Sequence, residues 1–92
     1  MTELPIDGEL DLHTFHPRDI PMLVPDYLDE CKKRGIVDVR IVHGKGTGAL
    51  RETVHAVLAK REDVVQFYLT DYNWGSTSVI LRLEDKPLDT VP

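Results

Sequence analysis

The stretch "IVHGKGTG", residues 41–48, runs from strand-like residues into His43 and then places Gly44, Gly46 and Gly48 within five positions. Glycines at this density permit positive φ and close backbone approach. If a helix starts behind them, with Thr47 as its N-cap, its unpaired amides and positive dipole end favour an anion. Lys45 adds a point charge, and Arg51 follows one turn into that helix. The pattern is read as a phosphate-holding loop that differs from the nucleotide-binding ones. The order G-x-x-x-x-G-K-[ST] of a nucleotide-binding P-loop is absent, and so is G-x-G-x-x-G with a distant ribose-binding acid. The alternative reading is a tight strand-to-helix turn that uses glycine for geometry alone.

Asp11 and His13 lie two residues apart in "ELDLH", so on a strand both point to the same side. A carboxylate bonded to one ring nitrogen fixes the imidazole tautomer and supports its protonated form. His43, at the end of a neighbouring strand, is expected to meet His13. Two imidazoles beside a phosphate cradle suit general base and general acid work in phosphodiester cleavage. Asp11, His13, His16 and His43 also allow a metal-site reading, because imidazole and carboxylate suit zinc-like ions. His16 is expected in the loop entering the first helix, and His55 is expected to face solvent on the second. Tyr72 and Trp74, in a later loop, could stack on bases, or one ring could close over the core edge.

The elements that must position these groups follow from apolar spacing. Leu10 and Leu12 alternate with Glu9, Asp11 and His13. Ile20, Leu23, Val24, Tyr27, Leu28 and Cys31 keep helical spacing, closed by "KKRG". Pro21 and Pro25 predict a kink or an irregular first turn between residues 19 and 25. Val37, Val39 and Ile41 alternate again; Leu50, Val54, Val57 and Leu58 mark a second helix, and "VVQFYLT" and "TSVILRL" two more strands. The order is β-α-β-α-β-β. A helical crossover makes the first two strands parallel, and like-handed crossovers put both helices on one face. The fold expected is an α/β two-layer sandwich with a four-stranded mixed sheet and one open face. If the third strand is parallel to the first two, three loops converge beyond the same strand ends, where open α/β sheets bind ligands.

Ninety-two residues allow one domain, expected over 8–83 between a loose acidic leader (1–7) and a loose tail (84–92). Of sixteen acids, four precede residue 12 and three follow residue 83, which leaves nine acids against ten bases between them. The net charge of −5 therefore belongs to the ends, and a nucleic-acid partner is neither demanded nor forbidden. A single cysteine, expected buried, excludes an internal disulfide and any multi-cysteine zinc site. No apolar run reaches membrane-span length, and the acidic N-terminus lacks the plan of a signal peptide. A cytoplasmic monomer with no membrane contact is expected.

"LDLH", "VRIVHGKGTGALR" and the glycine-containing turn "NWGST" before a final strand resemble, in this order and spacing, the Smr (small MutS-related) domain over about residues 9–83. The resemblance implies a sandwich like the C-terminal domain of translation initiation factor three, and nicking or cleavage of DNA or RNA. It assigns the acidic-x-His motif to Asp11 and His13. It assigns the glycine motif to His43, Gly44, Lys45 and Gly46, continuing through Thr47, Gly48 and Arg51. The third glycine-rich turn is reduced to Gly75, next to Trp74, and Thr14 stands where the first motif normally has glycine. With RNA the 2′-hydroxyl is the nucleophile and no cofactor is required; with DNA a divalent ion such as Mg²⁺ would help, with Asp11 its first ligand. The alternatives are a module that grips nucleic acid without cutting it, and a protein-interaction domain in a repair or translation assembly.

Overall fold

The computed structural model describes residues 6–44, 48–70 and 75–83. Its elements are β1 (Glu9–Asp11), a 3₁₀ turn (Pro17–Asp19), α1 (Ile20–Lys33), β2 (Asp38–Val42), α2 (Ala49–Ala59), β3 (Val64–Leu69) and β4 (Ser76–Leu81). The sheet order is β1-β2-β4-β3, with β1 parallel to β2 and β4 antiparallel to both β2 and β3. The expected β-α-β-α-β-β order and mixed sheet are the ones found. Because β3 is antiparallel to β4, it runs the same way as β1 and β2. The carboxyl ends of those three strands therefore share one edge of the sheet.

Strand alternation decides what faces the helices. Leu10, Val39, Ile41, Val79 and Leu81 are buried with Leu12, and they pack with Ile20, Val24, Tyr27, Leu28 and Cys31 of α1 and Val54 and Leu58 of α2. Residues of the opposite parity, Glu9, Asp11, Asp38 and Tyr68, are exposed on the other face. There Arg40 bonds Glu9 across the parallel pair at 2.6 Å. The two layers are tied at the start of β1 by Tyr27, whose hydroxyl accepts from the Gly8 amide and donates to the Glu9 carbonyl.

Residues 20–25, where Pro21 and Pro25 predicted a kink or an irregular first turn, are α-helical; the irregular turn lies before them, as the 3₁₀ turn. His16 is its N-cap, with Nδ1 accepting from the Arg18 amide at 3.1 Å. Pro21 then occupies the first turn of α1, where no amide is needed, and Pro25 lies inside the helix. At the other end, Gly35 takes φ +76° and donates to Lys32 O while Ile36 donates to Cys31 O, a Schellman closure. A Cβ at Gly35 would meet nothing within 4 Å, so only backbone conformation penalises a side chain there. Gly35→Ala is expected to lose about 1 kcal/mol in urea unfolding, and Gly35→Asn less.

A charged cluster fastens α1 to the α2–β3 turn. Asp63 is buried and accepts from Lys32 Nζ at 2.8 Å and from Arg61 Nη2 at 2.7 Å, and Arg61 also bonds Asp29 at 2.8 Å. The Arg61 hydrogen bonds, helped by Lys32, hold the Asp63 carboxyl far below the usual carboxylate range against the opposing effect of burial.

Candidate active site

At the shared edge, β1 delivers the first pair. Asp11 Oδ1 accepts both the His13 amide and the His13 ring Nδ1–H, each at 3.0 Å. A carboxylate only accepts, so Nδ1 carries the proton and Nε2 of neutral His13 keeps its lone pair. The ring is open to solvent, with its side chain 77% exposed. The ring bond, then the amide bond, lower the Asp11 pKa and keep the carboxylate ionised.

Beside it, β2 delivers the first part of the glycine loop. The Gly75 carbonyl, from the segment entering β4, accepts the amides of His43 at 3.0 Å and Gly44 at 2.8 Å. Gly44 has φ +80°, which turns the chain off the sheet. Gly48, at φ +91°, takes the cap position of α2 that was expected for Thr47, and it makes no side-chain cap bond. The place where a Gly48 Cβ would stand is filled by the Arg51 guanidinium, with Nη2 2.7 Å from it. The expected phosphate-holding residues Gly44, Gly48, Arg51 and Gly75 thus cluster at this edge. Lys45, Gly46, Thr47, Tyr72 and Trp74 lie outside the described residues.

His43 does not meet His13. Among the described residues its ring contacts are Gly44, Thr77 and His55. Parity is the reason: His43 continues the Val39–Ile41 side of β2, which faces the helices, whereas Asp11 stands on the open face opposite Val42. His43 is 7% exposed. Its Nδ1 lies 3.1 Å from Gly44 O, and its Nε2 lies 2.8 Å from Thr77 Oγ1. Thr77 Oγ1 is also 2.8 Å from His55 Nε2.

His55 is thus not the solvent-facing residue expected. It is half-buried, stands edge-on to His43 with ring centres 6.1 Å apart, and packs on Phe67 at 4.9 Å. Burial lowers both histidine pKa values; the Gly44 bond opposes this at His43, and the neighbouring Arg51 charge reinforces it at both rings. Both shifts favour the neutral rings. The four residues of the metal-site reading do not come together: among the described residues no three potential ligands are grouped. His16 instead spends its Nδ1 on capping.

The chain matches the Smr domain model over residues 10–82. It is 33% identical over 78 residues to Endonuclease MutS2 of Agathobacter rectalis, covering 85% of this chain and 10% of that protein. With Endonuclease MutS2 of Geobacillus sp. it shares 38% over 73 residues, 79% of this chain and 9% of the relative. The chain therefore spans about a tenth of the length of these relatives. Among solved structures it is similar to the Smr domain of Thermus thermophilus MutS2, with TM-score 0.75 and 32% identity over 83% of this chain and 99% of that one. Escherichia coli YdaL, a stand-alone small MutS-related protein, shares the fold with TM-score 0.76 at 23% identity, over 85% of this chain and 66% of its own. From its first strand to the end of its last, this chain belongs to the Smr domain family.

Proposed function

We propose that this domain cleaves phosphodiester bonds of nucleic acid. The observation that carries the reading is the solvent-open Asp11–His13 pair on the same sheet edge as Gly44, Gly48, Arg51 and Gly75. The naming of MutS2 relatives as endonucleases supports it. In the proposed reaction the phosphate is held by the loop amides, Lys45 and Arg51, which also stabilise the charge that develops on its oxygens. His13 Nε2 takes the proton of the attacking hydroxyl, and Asp11 holds the imidazolium that results. On RNA that hydroxyl is the neighbouring 2′-OH; the P–O5′ bond breaks, leaving a 2′,3′-cyclic phosphate and a 5′-oxygen that is protonated by solvent water or by the His13 imidazolium. On DNA it is water; one ester P–O bond breaks and its oxygen leaves protonated by solvent or by the His13 imidazolium, and a hydrated Mg²⁺, which needs only one or two carboxylates, suits Asp11 and would add positive charge at the phosphate.

End-labelled single- and double-stranded RNA and DNA, each incubated with Mg²⁺ or with EDTA, test this. Cutting of RNA in EDTA supports histidine chemistry, and cutting that needs Mg²⁺ supports metal assistance. Salt-sensitive binding with no cutting would overturn the enzyme and leave a phosphate-gripping module. Absence of any binding would favour a protein-interaction domain.

A further inference from the structure

The direction of every hydrogen bond in the His43–Thr77–His55 chain follows from what each atom can do. The Gly44 carbonyl only accepts, so His43 Nδ1 carries a proton. A neutral His43 then has a lone pair on Nε2, and the Thr77 hydroxyl must donate to it. With its hydrogen committed, Thr77 Oγ1 accepts, so His55 Nε2 must be protonated. Thr77 is fully buried, which leaves it no water to turn to. The three bonds run one way, from α2 across β4 to the first glycine of the loop.

We propose that His55 is a positioning residue: through Thr77 it sets the tautomer of His43, and His43 thereby fixes the peptide from which the glycine loop leaves the sheet. Gly44 is gripped on both sides, its amide by Gly75 O and its carbonyl by the His43 ring. Remove the His55 donor and the Thr77 hydroxyl is free to rotate away from His43. His43 can then adopt its other tautomer, whose Nδ1 cannot hold Gly44 O. Both ring nitrogens of His43 are consumed inside the protein, so proton transfer falls to the exposed His13 and His43 serves the loop. The proposal deepens the cleavage reading and rests on it for its catalytic consequence only.

Two substitutions separate the donor from the ring. His55→Gln retains an N–H donor for Thr77, whereas His55→Leu fills the space without one. Long-range ¹H–¹⁵N NMR reads the His43 tautomer, amide exchange reads Gly44, and cleavage kinetics read the consequence. We expect a pure Nδ1–H form in the parent. In His55→Leu we expect mixed tautomers, Gly44 exchange about fivefold faster and a KM raised about fivefold with little change in kcat. His55→Gln should restore all three, and Thr77→Val should behave like His55→Leu. An Nε2–H His43 in the parent overturns the proposal, and that measurement needs no variant to fold. So does an unchanged tautomer in His55→Leu, or a His55→Gln that fails to rescue. If the parent cuts no nucleic acid, the cleavage reading falls, while tautomer and exchange still decide this one.

Discussion

His13→Ala is expected to lower cleavage by about 10²- to 10⁴-fold, the usual contribution of one positioned acid–base group. Thermal unfolding should hardly change, because the side chain is 77% exposed and its one ring bond among the described residues goes to the exposed Asp11. That combination is diagnostic. A large loss of rate at constant stability places His13 at the reaction, whereas cutting that survives the substitution removes it from the mechanism and points to a contaminant. Asp11→Asn keeps the shape and removes the charge that orients the ring and supports its protonated form. It should cost less, about tenfold, and a full loss on DNA in Mg²⁺ with a modest loss on RNA in EDTA would give Asp11 its second role as metal ligand.

Asp63→Ala is expected to destabilise the fold by about 3 kcal/mol, since it removes the buried carboxylate that Arg61 and Lys32 share, and their side chains are only 17% and 22% exposed. The estimate stays at the lower end of the range for broken buried pairs because Arg61 keeps Asp29. The pH dependence follows from the depressed carboxyl of folded Asp63. In the unfolded chain this carboxyl titrates near about 3.9. Above that pH it is ionised in both states and its stabilisation is complete. As pH falls below about 4 the unfolded chain takes up a proton that the folded one refuses, so stability declines. Urea midpoints measured at pH 7 and pH 3 should therefore drop more steeply for the parent than for Asp63→Ala. Equal slopes would mean that other carboxylates govern acid unfolding.

Much of this was legible from apolar spacing alone. The two helices and four strands follow from period, and the edge shared by β1 and β2 follows from the helical crossover, while the direction of β3 stays a condition at that level. The expectation that His13 and His43 meet overlooked parity: His43 is in step with Val39 and Ile41, while His13 is in step with Glu9 and out of step with Leu10 and Leu12. Proximity along one edge brings two residues to the same height, but alternation sends them to opposite faces. His55 was harder to see. On a helical wheel it lies about 60° from Leu58, at the rim of the apolar stripe, where a polar residue reads as solvent-facing. What lies under that rim is the edge of the sheet, and only tertiary structure reveals that Thr77 waits there for a donor. Thr77 itself carries no local signal beyond sharing the parity of Val79 and Leu81. Gly48 took the cap in place of Thr47 because a left-handed residue ends this loop, which a count of capping side chains does not register.

The sheet order bears on how the chain acquires its site. β4 comes last of the four strands in the chain but lies between β2 and β3. Until residue 81 has been synthesised, β3 has no hydrogen-bonding neighbour and β2 has only the three-residue β1. An emerging chain can pre-form the helices, but pairing Val39 with Val79 closes a long loop, a slow step that short-range contacts cannot replace. The same event brings Gly75 to the His43 and Gly44 amides and Thr77 to the imidazoles of His43 and His55. Nascent forms therefore lack the contacts that hold His43 and Gly44. Those contacts arrive together with the finished sheet.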